Sequence, residues 1–245
     1  MRRFWKNLNI LYERILLIIF LLVLLIVAYC LYDTWYVFDH AADDSYLKYK
    51  PTASNAEEAG DSPITEDMAA WLTIDDTGID YPVMQADNNS KYLNLDPYGQ
   101  FSLSGSIFLD FRNASDFSDE YSLVYGHHME YGKMFGALDD FLDQSYLEEH
   151  TSGTLLVGRT GEAEYPLRVF ASMEANARDN MIFSPNEEEG IEEYIKTNAE
   201  YYIDCPELQG KRILGLSTCA DGDSLTRILV FCYILDNNSK GEGNL

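Results

Sequence analysis

Apolar residues are spread very unevenly along the chain. From Ile15 to Leu31 they form an unbroken run of 17 (ILLIIFLLVLLIVAYCL), extended by Tyr32 and preceded by Phe4, Trp5 and Tyr12. A run of this length predicts a helix able to cross a membrane, for which about 20 apolar residues are usual. A secretory signal peptide would carry a shorter apolar core and then a small-residue cleavage site. The sequence Ala28-Tyr29-Cys30-Leu31-Tyr32-Asp33 offers none, and Tyr29 before Cys30 also fails the small-residue requirement of lipoprotein processing. Residues 1–32 therefore read as a short amino-terminal segment with an uncleaved anchor.

The pattern changes after the anchor. Residues 33–62 include KYKPTASNAEEAGDSP, whose Pro, Ala, Ser, Glu and Gly content suits an extracellular spacer better than a core element. From residue 63 onward short apolar runs are punctuated by Gly, Asn, Asp or Pro. They predict eight strands: WLTID (71–75), IDYPVMQ (79–85), GSIFLD (105–110), YSLVYG (121–126), GTLLVG (153–158), YPLRVFASM (165–173), RILGLSTC (212–219) and TRILVFCYIL (226–235). Two helices are expected between them, at 134–150 and at 186–202, the second with acids crowded into its first turns as the helix dipole favours. One mostly-β domain over 63–245 follows, a barrel with appended helices.

Charge adds an orientation and removes a function class. Arg2, Arg3, Lys6 and Arg14 precede the apolar run with only Glu13 against them, while residues 33–245 hold 13 basic and 40 acidic residues, a net of −27. The positive-inside tendency puts the first residues in the cytoplasm and 33–245 outside. An acidic surface of this kind repels phosphate backbones, so nucleic-acid binding is excluded as a working reading.

Three cysteines, Cys205, Cys219 and Cys232, fall in the exported part. An odd count in an oxidising compartment leaves at least one thiol unpaired, as a structural or a reactive group. Cys232, inside ILVFCYIL, reads as a small buried hydrophobe, and Cys205, before Pro206, as a loop or strand-end residue. Cys219 closes a strand and precedes the turn-forming ADGDS, which places its sulfur at the rim of a sheet, where catalytic side chains concentrate. A cysteine nucleophile needs a proton-transfer partner and a group to stabilise an oxyanion. Of the four histidines, His40 and His150 read as solvated surface residues, whereas His127 and His128 leave the strand YSLVYG much as Cys219 leaves its own. Arg227 starts the strand after the Cys loop. By spacing alone, this set fits a papain-like hydrolase as well as any other cysteine enzyme.

The local wording narrows the choice. VYGHHM (124–129), LSTC (216–219) and Arg227 resemble the sortase signature, and GSIFLDFRN (105–113) with IDYPVMQ resembles its class B branch; the resemblance spans roughly Trp71 to Leu235. It implies an eight-stranded β-barrel, with amino-terminal helices and a long helix before the Cys strand. It also implies a membrane-anchored cysteine transpeptidase without cofactor or metal. The Cys219 thiolate would attack the Thr carbonyl of a sorting motif, Leu-Pro-X-Thr-Gly or an Asn-Pro variant, on a surface protein. His127 would be the general acid and base, and Arg227 would hold substrate backbone and oxyanion. A peptidoglycan cross-bridge amine or a pilin Lys would accept the acyl group. Ser217, Thr218 and Asp221 are the expected substrate-binding residues. His128 stands where many class B members carry Asn, and Gly215 where Thr often precedes LSTC. Neighbouring side chains of an extended segment face opposite ways, so His127 and His128 do not make a metal pair. A membrane-tethered cysteine hydrolase and a non-catalytic surface scaffold are the readings from other classes.

Overall fold

A computed structural model describes residues 2–41, 44–52, 61–185, 189–219 and 225–236. Its strands, among the described residues, are β1 (Met68–Ile74), β2 (Asp80–Met84), β3 (Ile107–Leu109), β4 (Tyr121–Gly126), β5 (Ser152–Val157), β6 (Ala163–Asn176), β7 (Tyr201–Tyr202), β8 (Arg212–Thr218) and β9 (Thr226–Ile234). They hydrogen-bond in the order β5-β1-β2-β3-β4-β8-β9-β6, and β6 pairs back onto β5. Eight strands thus close into the expected barrel, which removes the open edges that would otherwise attract other chains. The closing strand is long enough for three partners: β6 takes β5 at Ala163 to Arg168, β7 at Ala171 and Ser172, and β9 from Leu167 to Asn176.

The strands were legible as apolar runs because both of their faces are buried. Val124, Leu214, Leu216, Val230, Cys232 and Ile234 point into the barrel with Leu72, Ile74 and Val169. The intervening Tyr121, Leu123, Ile213, Leu229, Phe231 and Tyr233 form an outer cluster. That cluster is covered by α4 (Ile191–Asn198), whose Ile191 and Ile195 are buried in it. A third cluster, around Trp71, Met84, Tyr92 and Phe108, lies on the outside of β1, β2 and β3.

The two expected helices are shorter than the sequence pattern suggested. The 134–150 stretch is a 3-10 segment, Phe135–Leu142, followed by α2 (Gln144–Glu149). Asp143 separates them: its backbone is extended, and its carboxylate accepts the Tyr146 N–H, starting a new helix instead of continuing the old one. The 186–202 stretch holds only the eight residues of α4, and 186–188 lie outside the described residues. Ala199 is already extended, and Tyr201–Tyr202 join the sheet as β7. Pairing with β6 overrides the helical acids before them, so the long helix implied by the family resemblance is a short one here. A four-residue helix, α3 (Asn180–Phe183), precedes it.

The amino-terminal unit, through Asp43, is separate from the unit that begins at Asp44. It consists of α1 (Arg2–Ala41), in which Arg2–Trp35 is long and apolar enough to cross a membrane. The second unit begins within the stretch that composition marks as a spacer. Asp44–Tyr49 form a 3-10 turn, Tyr46 packs 6.0 Å from Trp71 and 5.9 Å from Tyr81 between ring centres, and the Lys50 ammonium donates to Thr73 and Asp80, both at 2.8 Å.

Cys232 is fully buried in the barrel, and burial pushes its thiol well above the ordinary value. Iodoacetamide at pH 8 should therefore leave Cys232 unmodified in the folded protein, while Cys232→Ala should lower unfolding free energy by about 1 kcal/mol or more in a denaturant titration. Rapid native alkylation at this position would contradict the buried placement.

Candidate active site

The site is set by the ends of three neighbouring strands. β4 and β8 run parallel with Tyr125 opposite Ser217 and Gly126 opposite Thr218. One position further along each chain are His127 and Cys219, and the Cys219 N–H donates to the Gly126 carbonyl at 2.7 Å. β9 runs antiparallel to β8 with Ser217 opposite Leu229, so two positions further the same register sets Arg227 opposite Cys219. Adjacent strands lie about 4.8 Å apart. His127, Cys219 and Arg227 consequently occupy one row across three strands, with the cysteine in the middle. All three continue the outward-facing series of their strands, the series that contains Leu229, Phe231 and Tyr233 on β9.

Several contacts hold that row. Thr218 Oγ1 accepts the Ile228 N–H at 3.0 Å, joining β8 to β9 just before the Cys loop. Ser217 is fully buried and its hydroxyl donates to the Thr218 carbonyl at 3.1 Å. Arg227 is 8% exposed, and its guanidinium donates to the Thr226 carbonyl at 2.7 Å. Asp221 lies outside the described residues. Of the three cysteines that follow the apolar helix, Cys205 and Cys232 are buried and Cys219 is half-buried, packed against the third cluster as Leu93 and Tyr125 are.

The two histidines part company. His127 Nε2 lies 2.7 Å from the Leu93 carbonyl oxygen, which can only accept, so Nε2 carries a proton there and Nδ1 is the nitrogen left for proton transfer. His128 Nε2 lies 2.8 and 3.0 Å from the two carboxylate oxygens of Asp139, in the 3-10 segment. The two imidazoles thus reach different partners, the Leu93 carbonyl and the 3-10 segment. The loop after them is tight. Phe135 N–H donates to the His127 carbonyl at 3.0 Å, His128 bridges Met134, and Tyr131 and Met134 both adopt positive φ, 58° and 50°. A Cβ at Gly136 would lie 1.8 Å from the Met129 carbonyl, so only glycine fits this turn.

A buried carboxylate that the sequence did not single out organises the wall behind the row. Asp110, fully buried, accepts from Arg112 Nε and Nη2 at 2.9 Å, Asn89 Nδ2 at 2.8 Å and the Tyr125 hydroxyl at 3.0 Å. Burial opposes its ionisation most strongly, but the side-chain and backbone hydrogen bonds from Arg112 and the one from Asn89 prevail and hold the carboxyl below the usual range. Burial, and then the Asp110 charge, push the Tyr125 phenol far upward, so it remains a donor. Gln85 donates to the Asp110 and Asn113 carbonyls at 3.0 and 2.8 Å, which ties together the two segments carrying the class B wording.

A model of the sortase domain matches residues 72–234. The chain belongs to the sortase family. Sortases are cysteine transpeptidases, and the relatives of this one are of class B. It is 32% identical to a sortase B of Listeria monocytogenes over 189 residues, 72% of this chain and 76% of the relative. The identity to a Staphylococcus aureus sortase B is 33% over 178 residues, 70% and 72% of the two chains. Its structure resembles that of a Streptococcus pyogenes class B sortase involved in pilus biogenesis, with TM-score 0.64, 36% identity and coverage of 70% of this chain and 93% of the other. A Staphylococcus aureus sortase B–substrate complex gives TM-score 0.67 at 28% identity, covering 82% and 94%.

In this sortase the depressed Asp110 carboxyl makes a stability contribution that is present above the unfolded-state pKa and lost as pH falls toward the lower folded value, that is, below about pH 4. Asp110→Asn should lower stability at pH 7 and flatten the decline between about pH 4 and pH 2, as read by denaturant midpoints across pH. Equal acid sensitivity in parent and variant would show that other carboxyls govern the decline.

Proposed function

We propose that Cys219, His127 and Arg227 carry out transpeptidation on a sorting motif of the Leu-Pro-X-Thr-Gly or Asn-Pro type, joining a surface protein to an amine. The observation that supports this most directly is the row His127–Cys219–Arg227 set by strand register. The Cys219 thiolate attacks the Thr carbonyl carbon, and the carbonyl electrons move to oxygen. The guanidinium of Arg227 faces the developing negative charge with a planar pair of donors. Collapse of this intermediate reforms the carbonyl and breaks the Thr–Gly C–N bond, while His127 delivers a proton to the departing amine. A thioester on Cys219 remains. An incoming amine then attacks the thioester, His127 removes its proton, and the thiolate is released. The accepting amine is a peptidoglycan cross-bridge or a pilin Lys; the pilus role of the Streptococcus pyogenes relative supports the second option.

Ser217, Thr218 and Asp221 contribute to substrate binding in this reading, and Thr218 also joins β8 to β9. Residues 1–32 anchor the chain with its first residues in the cytoplasm, 33–62 lead outward with Asp44–Tyr49 already resting on the barrel, and 63–245 carry the chemistry outside the cell. The long apolar helix α1 supports the single-pass anchor.

The deciding experiment incubates residues 33–245 with Leu-Pro-X-Thr-Gly and Asn-Pro-X-Thr peptides and a primary amine, then reads product masses. An amine-linked product is expected; products of water alone, or none, would overturn the assignment. The same experiment tests solubility of the truncated chain, which its net charge of −27 favours.

Variants assign the roles. Cys219→Ala should abolish the thioester, whereas Cys205→Ala should not. His127→Asn should lose about 100-fold to 10,000-fold in turnover, since an amide neither takes nor gives a proton at neutral pH. His128→Asn should stay within a few-fold of the parent, because the amide keeps a hydrogen bond to Asp139. Arg227→Lys should fold normally and lose on the order of 100-fold. Each is read by peptide turnover beside a thermal melt; an active His127→Asn with a dead His128→Asn would shift the site by one residue.

A further inference from the structure

We infer that Tyr81 is a positioning residue for the loop that carries His127, and that Tyr46, from the segment just after the anchor, buttresses it. This rests on the reading of His127 as the acid and base. Tyr81 lies on β2, far from Cys219 in sequence, and its side chain points into the barrel beside Met134 and Phe135. Its hydroxyl accepts the Met134 N–H at 3.0 Å. Met134 holds φ 50° and ψ −130°, a backbone conformation that a side-chain-bearing residue adopts only under strain. Such strain persists only where surrounding contacts enforce it. Two such contacts converge here: the Tyr81 hydroxyl on the Met134 N–H, and the antiparallel bridge of Met134 with His128, which the Phe135 N–H on the His127 carbonyl makes. The strained residue is therefore paired with His128, and the residue after it is bonded to His127.

Tyr81 is itself held from one side. Tyr46 packs on its ring at 5.9 Å and on Trp71 at 6.0 Å, and Lys50, four residues on, is fixed to Thr73 and Asp80. The segment at Asp44–Tyr49 thus reaches the His127 loop through one aromatic contact and one hydrogen bond. Tyr81→Phe removes the acceptor and frees Met134 to relax toward ordinary backbone angles, which draws the His127 carbonyl and ring from their place. Tyr46→Ala leaves the hydroxyl but removes the ring that holds it. A displacement of an acid–base group by about 1 Å lowers turnover by up to about 100-fold without changing what the substrate groove binds.

The test uses the full chain in detergent micelles, with Tyr81→Phe, Tyr46→Ala, His127→Asn and, as a reference for purely structural weakening, Cys232→Ala. Two readouts are taken: kcat and KM on whichever sorting peptide the parent turns over, and the pH dependence of iodoacetamide alkylation at Cys219, resolved by peptide mass. Thermal melts fix an assay temperature at which every variant is folded. Tyr81→Phe and Tyr46→Ala should lose about 10- to 100-fold in kcat with KM within about twofold. Both should also alkylate about three- to tenfold more slowly at pH 7, because a thiolate loses stability when an imidazolium moves away from it. Cys232→Ala should match the parent in both readouts. Parental kcat and alkylation profiles in Tyr81→Phe and Tyr46→Ala, with His127→Asn inactive, would overturn the positioning role alone. Parental activity in His127→Asn would overturn the acid–base reading on which it rests.

Discussion

Parallel pairing between β4 and β8 is the constraint on which the site depends. In a parallel pair both carboxyl ends lie at the same edge, so whatever follows Gly126 and whatever follows Thr218 must emerge side by side. An antiparallel pair would have separated His127 from Cys219 by the length of the strands. Parallel neighbours need a long crossover, and here the chain makes three further strands and several helices between β4 and β8 before returning. β9 then doubles back on β8, which brings its first residues to the same edge and sets Arg227 beside the cysteine. A register slip of one residue on any of these strands would turn a member of the row to the opposite face. The continuous apolar burial on both faces of β8 and β9 makes such a slip expensive, because it would exchange the interior and outer clusters.

The same reasoning explains how charge is handled near Cys219. The chain is strongly acidic, yet the carboxylate nearest in the network behind the row, Asp110, is buried, ionised and matched by the Arg112 guanidinium. Its charge is thus balanced locally, and its remaining lone pairs fix Asn89 and Tyr125. Through Asn89 it holds the stretch leading to Leu93, whose carbonyl receives His127; through Tyr125 it holds the end of β4. Removing the charge would disturb both walls at once, so Asp110 acts as a joint between segments distant in sequence.

Much of this was legible in the chain. YSLVYG coincides with β4 and RILGLSTC with β8 to within a residue, because a strand buried on both faces is written as an uninterrupted apolar run. The candidates His127, Cys219 and Arg227 were legible as strand ends, and the fold joins them through registers that no local pattern encodes. What was illegible depended on partners far away in sequence. Tyr201–Tyr202 look like the end of an acidic helix until β6 is present to pair with them. The docking of Tyr46 is hidden in a stretch whose composition reads as spacer. Asp110 gave one faint signal, an acid inside the apolar wording GSIFLDFRN, where a buried charge requires a partner; Arg112, two residues on, is that partner.

The vicinal histidines show how a local rule and a tertiary contact combine. Alternation along an extended chain requires only that the two imidazoles point apart; it leaves open which of them turns toward the cysteine. That choice is made by acceptors at fixed positions on either side. The Leu93 carbonyl stands on the side of the third cluster, and the Asp139 carboxylate stands on the 3-10 segment opposite. Exchanging the roles would demand a half-turn of the strand end, and the Phe135 N–H on the His127 carbonyl, together with the Cys219 N–H on the Gly126 carbonyl, ties the backbone on both sides of that turn. The two acceptors therefore separate the imidazoles where alternation alone could not: His128 is held to the Asp139 carboxylate, while His127 sets Nε2 on the Leu93 carbonyl and keeps Nδ1 out of that contact.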